Sequence, residues 1–95
     1  MSAPVVAYID VDDTLVRSAG TKRIPIPSAI ERVRTLHRGG ATLYLWSTGG
    51  AAYAQATAKE LGIEALFAGF LPKPTLIIDD QEVHEWRGLK HERPY

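Results

Sequence analysis

The chemistry this chain could do is concentrated in its aspartates. Asp10, Asp12 and Asp13 stand together in the run Asp10-Val11-Asp12-Asp13-Thr14, and Asp79-Asp80 form a second group towards the other end. Two carboxylates ~4 Å apart repel by about 4 kcal/mol at an effective dielectric of 20, so a crevice that gathers them wants a cation or raised pKa values. Neither group contains histidine or cysteine, and oxygen donors alone suit a hard ion, Mg²⁺ ahead of Ca²⁺ or Zn²⁺. Such an ion would offset the negative charge of a phosphoryl group approaching a carboxylate nucleophile. Two further features fit an anion. Ser47 can donate to a phosphate oxygen, and the N–H groups of Thr48 and Gly49 lie near an expected helix N-terminus, where anions bind readily. Lys73 offers an ammonium to neutralise phosphate charge and hold the acidic cluster in place.

Those residues need elements to position them. The runs Val5–Ile9, Thr42–Trp46 and Thr75–Ile78 are short, apolar and without clean alternation, as buried strands of a parallel sheet are; Ala65–Ala68 is a weaker candidate. Between them, Ser28 and Glu31 match a capping box, Ile30, Val33 and Leu36 share a helix face, and Gly39-Gly40 forms a stop. A second helix is expected from about Gly50 to Leu61, with Gly62 following its C-terminus and the Ala51–Ala58 run as a close-packing face. Strand, helix, strand, helix, strand predicts right-handed βαβ units in a small, mostly parallel sheet of the doubly wound α/β class, a three-layer sandwich. In such sheets ligands meet the carboxyl ends of strands. Those ends are Asp10–Thr14, Ser47–Gly50 and Asp79-Asp80, so each strong strand runs into reactive side chains.

Composition narrows the field without choosing within it. The chain has 95 residues, enough for one domain spanning 1–95 and one modest core. Eleven basic residues balance eleven acidic ones, which gives no overall electrostatic case for nucleic acid or membrane. The absence of cysteine excludes disulfides, thiolate metal sites and a cysteine nucleophile, and fits a reducing cytoplasm. The apolar run from Ala3 to Ile9 has no basic stretch before it and is cut by Asp10, so no signal peptide is expected, and no run approaches the ~18 apolar residues of a membrane span.

At its reactive residues the sequence resembles the haloacid dehalogenase superfamily of phosphohydrolases. The strand and Asp-x-Asp-x-Thr of the first family motif are matched by Tyr8-Ile9-Asp10-Val11-Asp12-Asp13-Thr14-Leu15-Val16. The second is matched by Leu43-Tyr44-Leu45-Trp46-Ser47, the third by Lys73-Pro74 and the fourth by Leu76-Ile77-Ile78-Asp79-Asp80. The four occur in the family's order over about residues 5 to 80. The resemblance implies that Asp10 attacks phosphorus and forms an aspartyl-phosphate, with its second oxygen on Mg²⁺. It implies that Asp12 protonates the leaving group, later deprotonates water, and ligates the metal through its backbone carbonyl. Ser47 and Lys73 would hold the phosphoryl group. Asp79 would be a metal ligand, and Asp80 would ligate directly, through water, or bond Lys73. The second aspartate, Asp12, is missing from members that dehalogenate or pump ions, so its presence favours phosphate-ester hydrolysis. The short stretches from Val16 to Ser28 and from Leu61 to Lys73 leave no room for the family's cap domain. An open crevice is therefore implied. It would take a phosphorylated small molecule or the phosphorylated end of a macromolecule, with nucleic acid only as substrate, and a homo-oligomer partner could cover it.

Plainer readings compete. The acidic triplet could be a solvated turn, Ser47–Gly50 a cap, Lys73 a surface residue, and Asp79-Asp80 a strand terminus. Arg17, Lys22 and Arg23 could steer an anion but read first as a solvated loop. The glycine and terminal glutamate of an EF-hand are missing. His37, His84 and His91 lack metal-ligand spacing. Trp46 reads as core, and Trp86 as packing back onto the sheet or into a dimer contact. A phosphorylation-switched receiver module would need an aspartate after Leu66-Phe67, and its lysine would come last. A catalytically inactive binding module of the same architecture remains the alternative to an enzyme.

Overall fold

The computed structural model describes residues 4–95; Ala3, the first residue of the N-terminal apolar run, lies outside them. Strands β1 (Val6–Asp10), β4 (Thr42–Ser47) and β5 (Gly69–Pro72) form a parallel sheet in the order β1-β4-β5. Between β1 and β4 come an antiparallel hairpin of β2 (Val16–Ala19) and β3 (Lys22–Pro25), then helix α1 (Pro27–Arg38). Helix α2 (Ala51–Glu60) links β4 to β5. The register sets Asp10 beside Trp46 and Ser47 beside Pro72, which aligns the carboxyl ends of all three strands. The class is α/β with a parallel sheet, as expected.

Both connections move the same way across the sheet. Right-handed crossovers then keep both helices on one face, and the burial follows. Leu43 and Leu45 of β4 are closed to solvent and share a core with Val33 of α1, Ala54 and Ala58 of α2, and Val11, Leu15 and Ile63 from the connections. The other face carries an aromatic group, with the Tyr8 ring 5.3 Å from Tyr44 and 4.9 Å, edge-on, from Trp46. Tyr8 is half exposed there, and Trp46 is half-buried on that face rather than in the core.

Several boundaries move for physical reasons. Helix α1 begins at Pro27, and no side chain caps it, so the Ser28–Glu31 capping box is not used. Proline at the first helical position has the required φ and no N–H to satisfy, and it starts the helix one residue before the serine. The C-terminal stop at Gly39-Gly40 forms as expected, as does the end of α2, where Gly62 takes φ +73°. The expected loop after the first motif is instead the β2–β3 hairpin, closed by Gly20-Thr21 with Gly20 at φ +64°.

The largest departure concerns the third strong run. Thr75–Ile78 forms no strand; Leu76 is 76% and Ile78 91% exposed. The place beside β4 is taken by Gly69–Pro72, and the weaker run before it forms a short 3-10 turn at Glu64–Leu66. Pro72 and Pro74 bracket Lys73, and neither can donate to a ladder, so the strand stops there. The rest of the chain crosses back over the molecule. Glu92 accepts two hydrogen bonds from Arg32 of α1, at 2.8 and 3.1 Å, and Arg17 of β2 lies over the Tyr95 ring. Among the described residues no helix is long and apolar enough to cross a membrane.

Candidate active site

Asp10 is the last residue of β1, and the chain turns sharply just beyond it. The Val11 carbonyl accepts from the N–H groups of Thr14, Leu15 and Val16, while Asp13 N–H donates to the Val16 carbonyl at 2.7 Å. Val11 and Leu15 are fully buried and pin the turn to the core, which leaves Asp12 and Asp13 in solvent between them. Asp13 takes φ +62°, a left-handed conformation that aspartate tolerates better than most residues. The Thr14 hydroxyl donates back to Asp10 Oδ2 at 3.3 Å.

Lys73 reaches the same place from the end of β5. Its backbone N–H donates to the Ser47 carbonyl at 2.9 Å, and its Nζ lies 3.6 Å from Asp10 Oδ1. Both side chains are partly exposed, so the pair stabilises the fold by no more than about 1 kcal/mol. Its importance is positional: an ammonium stands beside the carboxylate, at the carboxyl ends of parallel strands.

The Ser47–Gly50 segment is a compact turn. Ser47 is 1% exposed, and its Oγ accepts the Gly49 N–H at 3.0 Å. Gly50 N–H donates to the Ser47 carbonyl. Serine and glycine are thus bonded to each other in a tight entry into α2, with the Ser47 hydroxyl proton left to donate. Gly49 also has no room for a side chain, since a Cβ there would lie 2.9 Å from the Tyr53 ring. Thr48 is exposed on the same turn.

Tyr53, in the first turn of α2, donates from its hydroxyl to Asp12 Oδ1 at 2.7 Å. Partial burial pushes its phenol above the ordinary value. The bond to Asp12 acts in the same direction, and the neighbouring Arg23 works against it. Arg23, from β3, lies 5.1 Å from the Tyr53 ring centroid, donates to Thr57 Oγ1 at 2.8 Å and pairs with Glu60 at 3.1 Å. Its Nε is buried without a partner. Arg23 is therefore a tie between the hairpin and α2, not a free cation for a substrate. Arg17 is likewise engaged with Tyr95, while Lys22 is exposed.

Asp79 and Asp80 do not join this group. They follow the exposed Thr75–Ile78 run, where Asp79 Oδ1 accepts the Gln81 N–H at 2.9 Å in a local turn. Both line a shallow cavity with Ile77, Glu82 and Val83. Trp86 is half-buried on a neighbouring cleft beside Asp79 and Arg87. Among the described residues no three histidine, aspartate or glutamate side chains come together as a metal group. Asp10, Asp12 and Lys73 are brought to one strand end, and the second acidic pair stands apart.

The chain matches no family model, no curated protein and no solved structure. Tyr53 is the residue sequence reading missed. It sits in an alanine-rich helix face, and its partner Asp12 is far away in sequence, so no local pattern marks it.

Proposed function

We propose that the chain hydrolyses a phosphomonoester through an aspartyl-phosphate on Asp10. The observation that carries this reading is the meeting of Asp10, Asp12 and Lys73 at the carboxyl end of a parallel sheet, with Lys73 Nζ 3.6 Å from Asp10. The resemblance to haloacid dehalogenase superfamily phosphohydrolases gives the same residues their roles. Asp10 attacks phosphorus, forming the acyl-phosphate bond as the bond to the leaving oxygen breaks. Lys73 offsets the charge of the phosphoryl oxygens. Asp12 gives a proton to the leaving oxygen, then takes one from the water that releases phosphate and restores Asp10. Because Tyr53 occupies Asp12 Oδ1, the other oxygen, Oδ2, is the one left to carry that proton. Ser47 shapes the turn that carries Thr48 and Gly49 and, with its hydroxyl proton, donates to a phosphoryl oxygen.

A divalent ion fits the described arrangement poorly. Asp10 has one oxygen beside Lys73 and the other accepting from Thr14, and Asp79-Asp80 are elsewhere. The finer fold reading supplies what is missing. Strand β1 has a free edge, and Thr75–Ile78 is an unpaired apolar run. A doubly wound sheet completed by that run on that edge delivers Asp79 and Asp80 to the Asp10 end, where four carboxylates suit Mg²⁺. The ion, when bound, would offset phosphoryl charge. The open site accepts a phosphorylated metabolite or a macromolecule's phosphorylated end, in a cytoplasmic setting.

The separation of the second acidic pair favours one other reading, a module of the same architecture that binds phosphate without turning it over. Turnover of p-nitrophenyl phosphate with Mg²⁺ separates the two. The enzyme reading expects release of p-nitrophenol by wild type and loss of it in Asp10→Asn; equal rates in both would end that reading.

A further inference from the structure

Three contacts fix the Tyr53 side chain. Gly49 leaves the ring no more than the space it fills, the Arg23 guanidinium lies against the ring, and the hydroxyl donates to Asp12. Arg23 is itself fixed by Thr57 and Glu60, and Thr57 Oγ1 donates back to the Tyr53 carbonyl at 3.0 Å. Such a set is more than an exposed aspartate on a turn needs. A lone side chain at Asp12 would sample several rotamers in solvent, whereas the 2.7 Å bond selects one.

We propose that Tyr53 is a positioning residue that orients Asp12 for proton transfer, and that Arg23 carries this orientation from the β2–β3 hairpin to α2. The inference rests on the phosphatase reading and adds to it a residue outside the four motifs. Tyr53 touches neither Asp10 nor Lys73 by hydrogen bond or ion pair; its hydroxyl donates to Asp12. Its effect should therefore follow how much a reaction depends on Asp12. Proton donation matters little when the leaving group is p-nitrophenolate and more when it is the more basic phenolate. The quantity kcat/KM reports the step in which that group departs.

The test compares Tyr53→Phe, which keeps the ring, with wild type on p-nitrophenyl phosphate and phenyl phosphate, alone and in an Asp12→Asn background. The expected result is a fall in kcat/KM of about threefold on the first substrate and about tenfold on the second, carried by kcat with KM little changed. In Asp12→Asn the same change should have no further effect, because the partner is already disabled. Arg23→Gln should repeat the pattern more weakly. Equal losses on both substrates, or the same loss with and without the Asp12 acid, would overturn the positioning role. Asp10→Asn distinguishes the two levels: turnover that survives it removes the phosphatase reading, and this inference with it. A dead Asp10→Asn alongside an unaffected Tyr53→Phe removes the inference alone.

Discussion

Leu43–Trp46 and Leu76–Ile78 are both short apolar runs, and each is followed by residues with reactive side chains. The first lies in β4, paired on both edges, with Leu43 and Leu45 sealed beneath two helices. The second pairs with nothing, and Leu76 and Ile78 are mostly in water. Composition does not separate them. What separates them is pairing and a covering layer: β4 fills the middle of the sheet, whereas Leu76–Ile78 follows two prolines, finds β5 already beside β4 and lies away from the open edge of β1. The chemistry divides along the same line. Asp10 and Asp12 are held by a pinned turn, by Lys73 and by Tyr53, while Asp79 is held only by its own turn.

That contrast can be broken most forcefully in the core. Leu45→Ala should cost about 3–4 kcal/mol in chemical denaturation, because three fully buried side-chain carbons are lost from the shared core. Ile78→Ala should stay within about 0.5 kcal/mol in the same measurement. Comparable losses would mean that the C-terminal run is packed in solution. The next largest effect is chemical: Asp12→Asn should lower kcat on phenyl phosphate by about 10²-fold while melting as wild type does. Near-normal turnover would remove Asp12 from the mechanism.

Hydrogen exchange sharpens the comparison further. Amides of β4 should exchange only on global unfolding, and those of Leu76–Ile78 at nearly free-chain rates. If the doubly wound reading is correct, Mg²⁺ and inorganic phosphate together slow the second set, and Asp79→Asn abolishes that slowing. An unchanged pattern would leave the run outside the sheet. The smallest effect belongs to the tail. Arg32 holds the Glu92 carboxyl below its ordinary range, so this contact stabilises the fold at neutral pH and is lost as pH falls through that lowered value. Glu92→Gln should therefore melt slightly earlier than wild type at pH 7 and coincide with it in strong acid. A gap that persists in acid would assign the difference to something other than this charge.

Much of the packed half was legible because local signals agreed there. The Gly50 and Gly62 ends of α2, the Gly39-Gly40 stop and the β-branched start of β1 each follow from the residue at that position. Where two local signals competed, the stiffer won: Pro27 set the start of α1 over the Ser28–Glu31 box. The hairpin carried its own mark in Gly20-Thr21 between two four-residue strands, a two-residue turn with glycine first. At the candidate site, Asp10, Asp12 and Lys73 could be read from motif order. The burial of Ser47 and the reach of Tyr53 to Asp12 could not, since both depend on how α2 sits over the β1 turn. Nor can an apolar run state whether it will take up an edge: that of β1 is open, yet Thr75–Ile78 lies off the sheet.

The proposed mechanism depends first on phosphorylation of Asp10. Acid quenching during turnover of p-nitrophenyl phosphate, followed by peptide mass analysis, tests it directly. A phosphoryl group on the peptide bearing Asp10 that disappears in Asp10→Asn is the expected result. Turnover that leaves that peptide unmodified and places phosphate on Ser47 or Thr48 would contradict it.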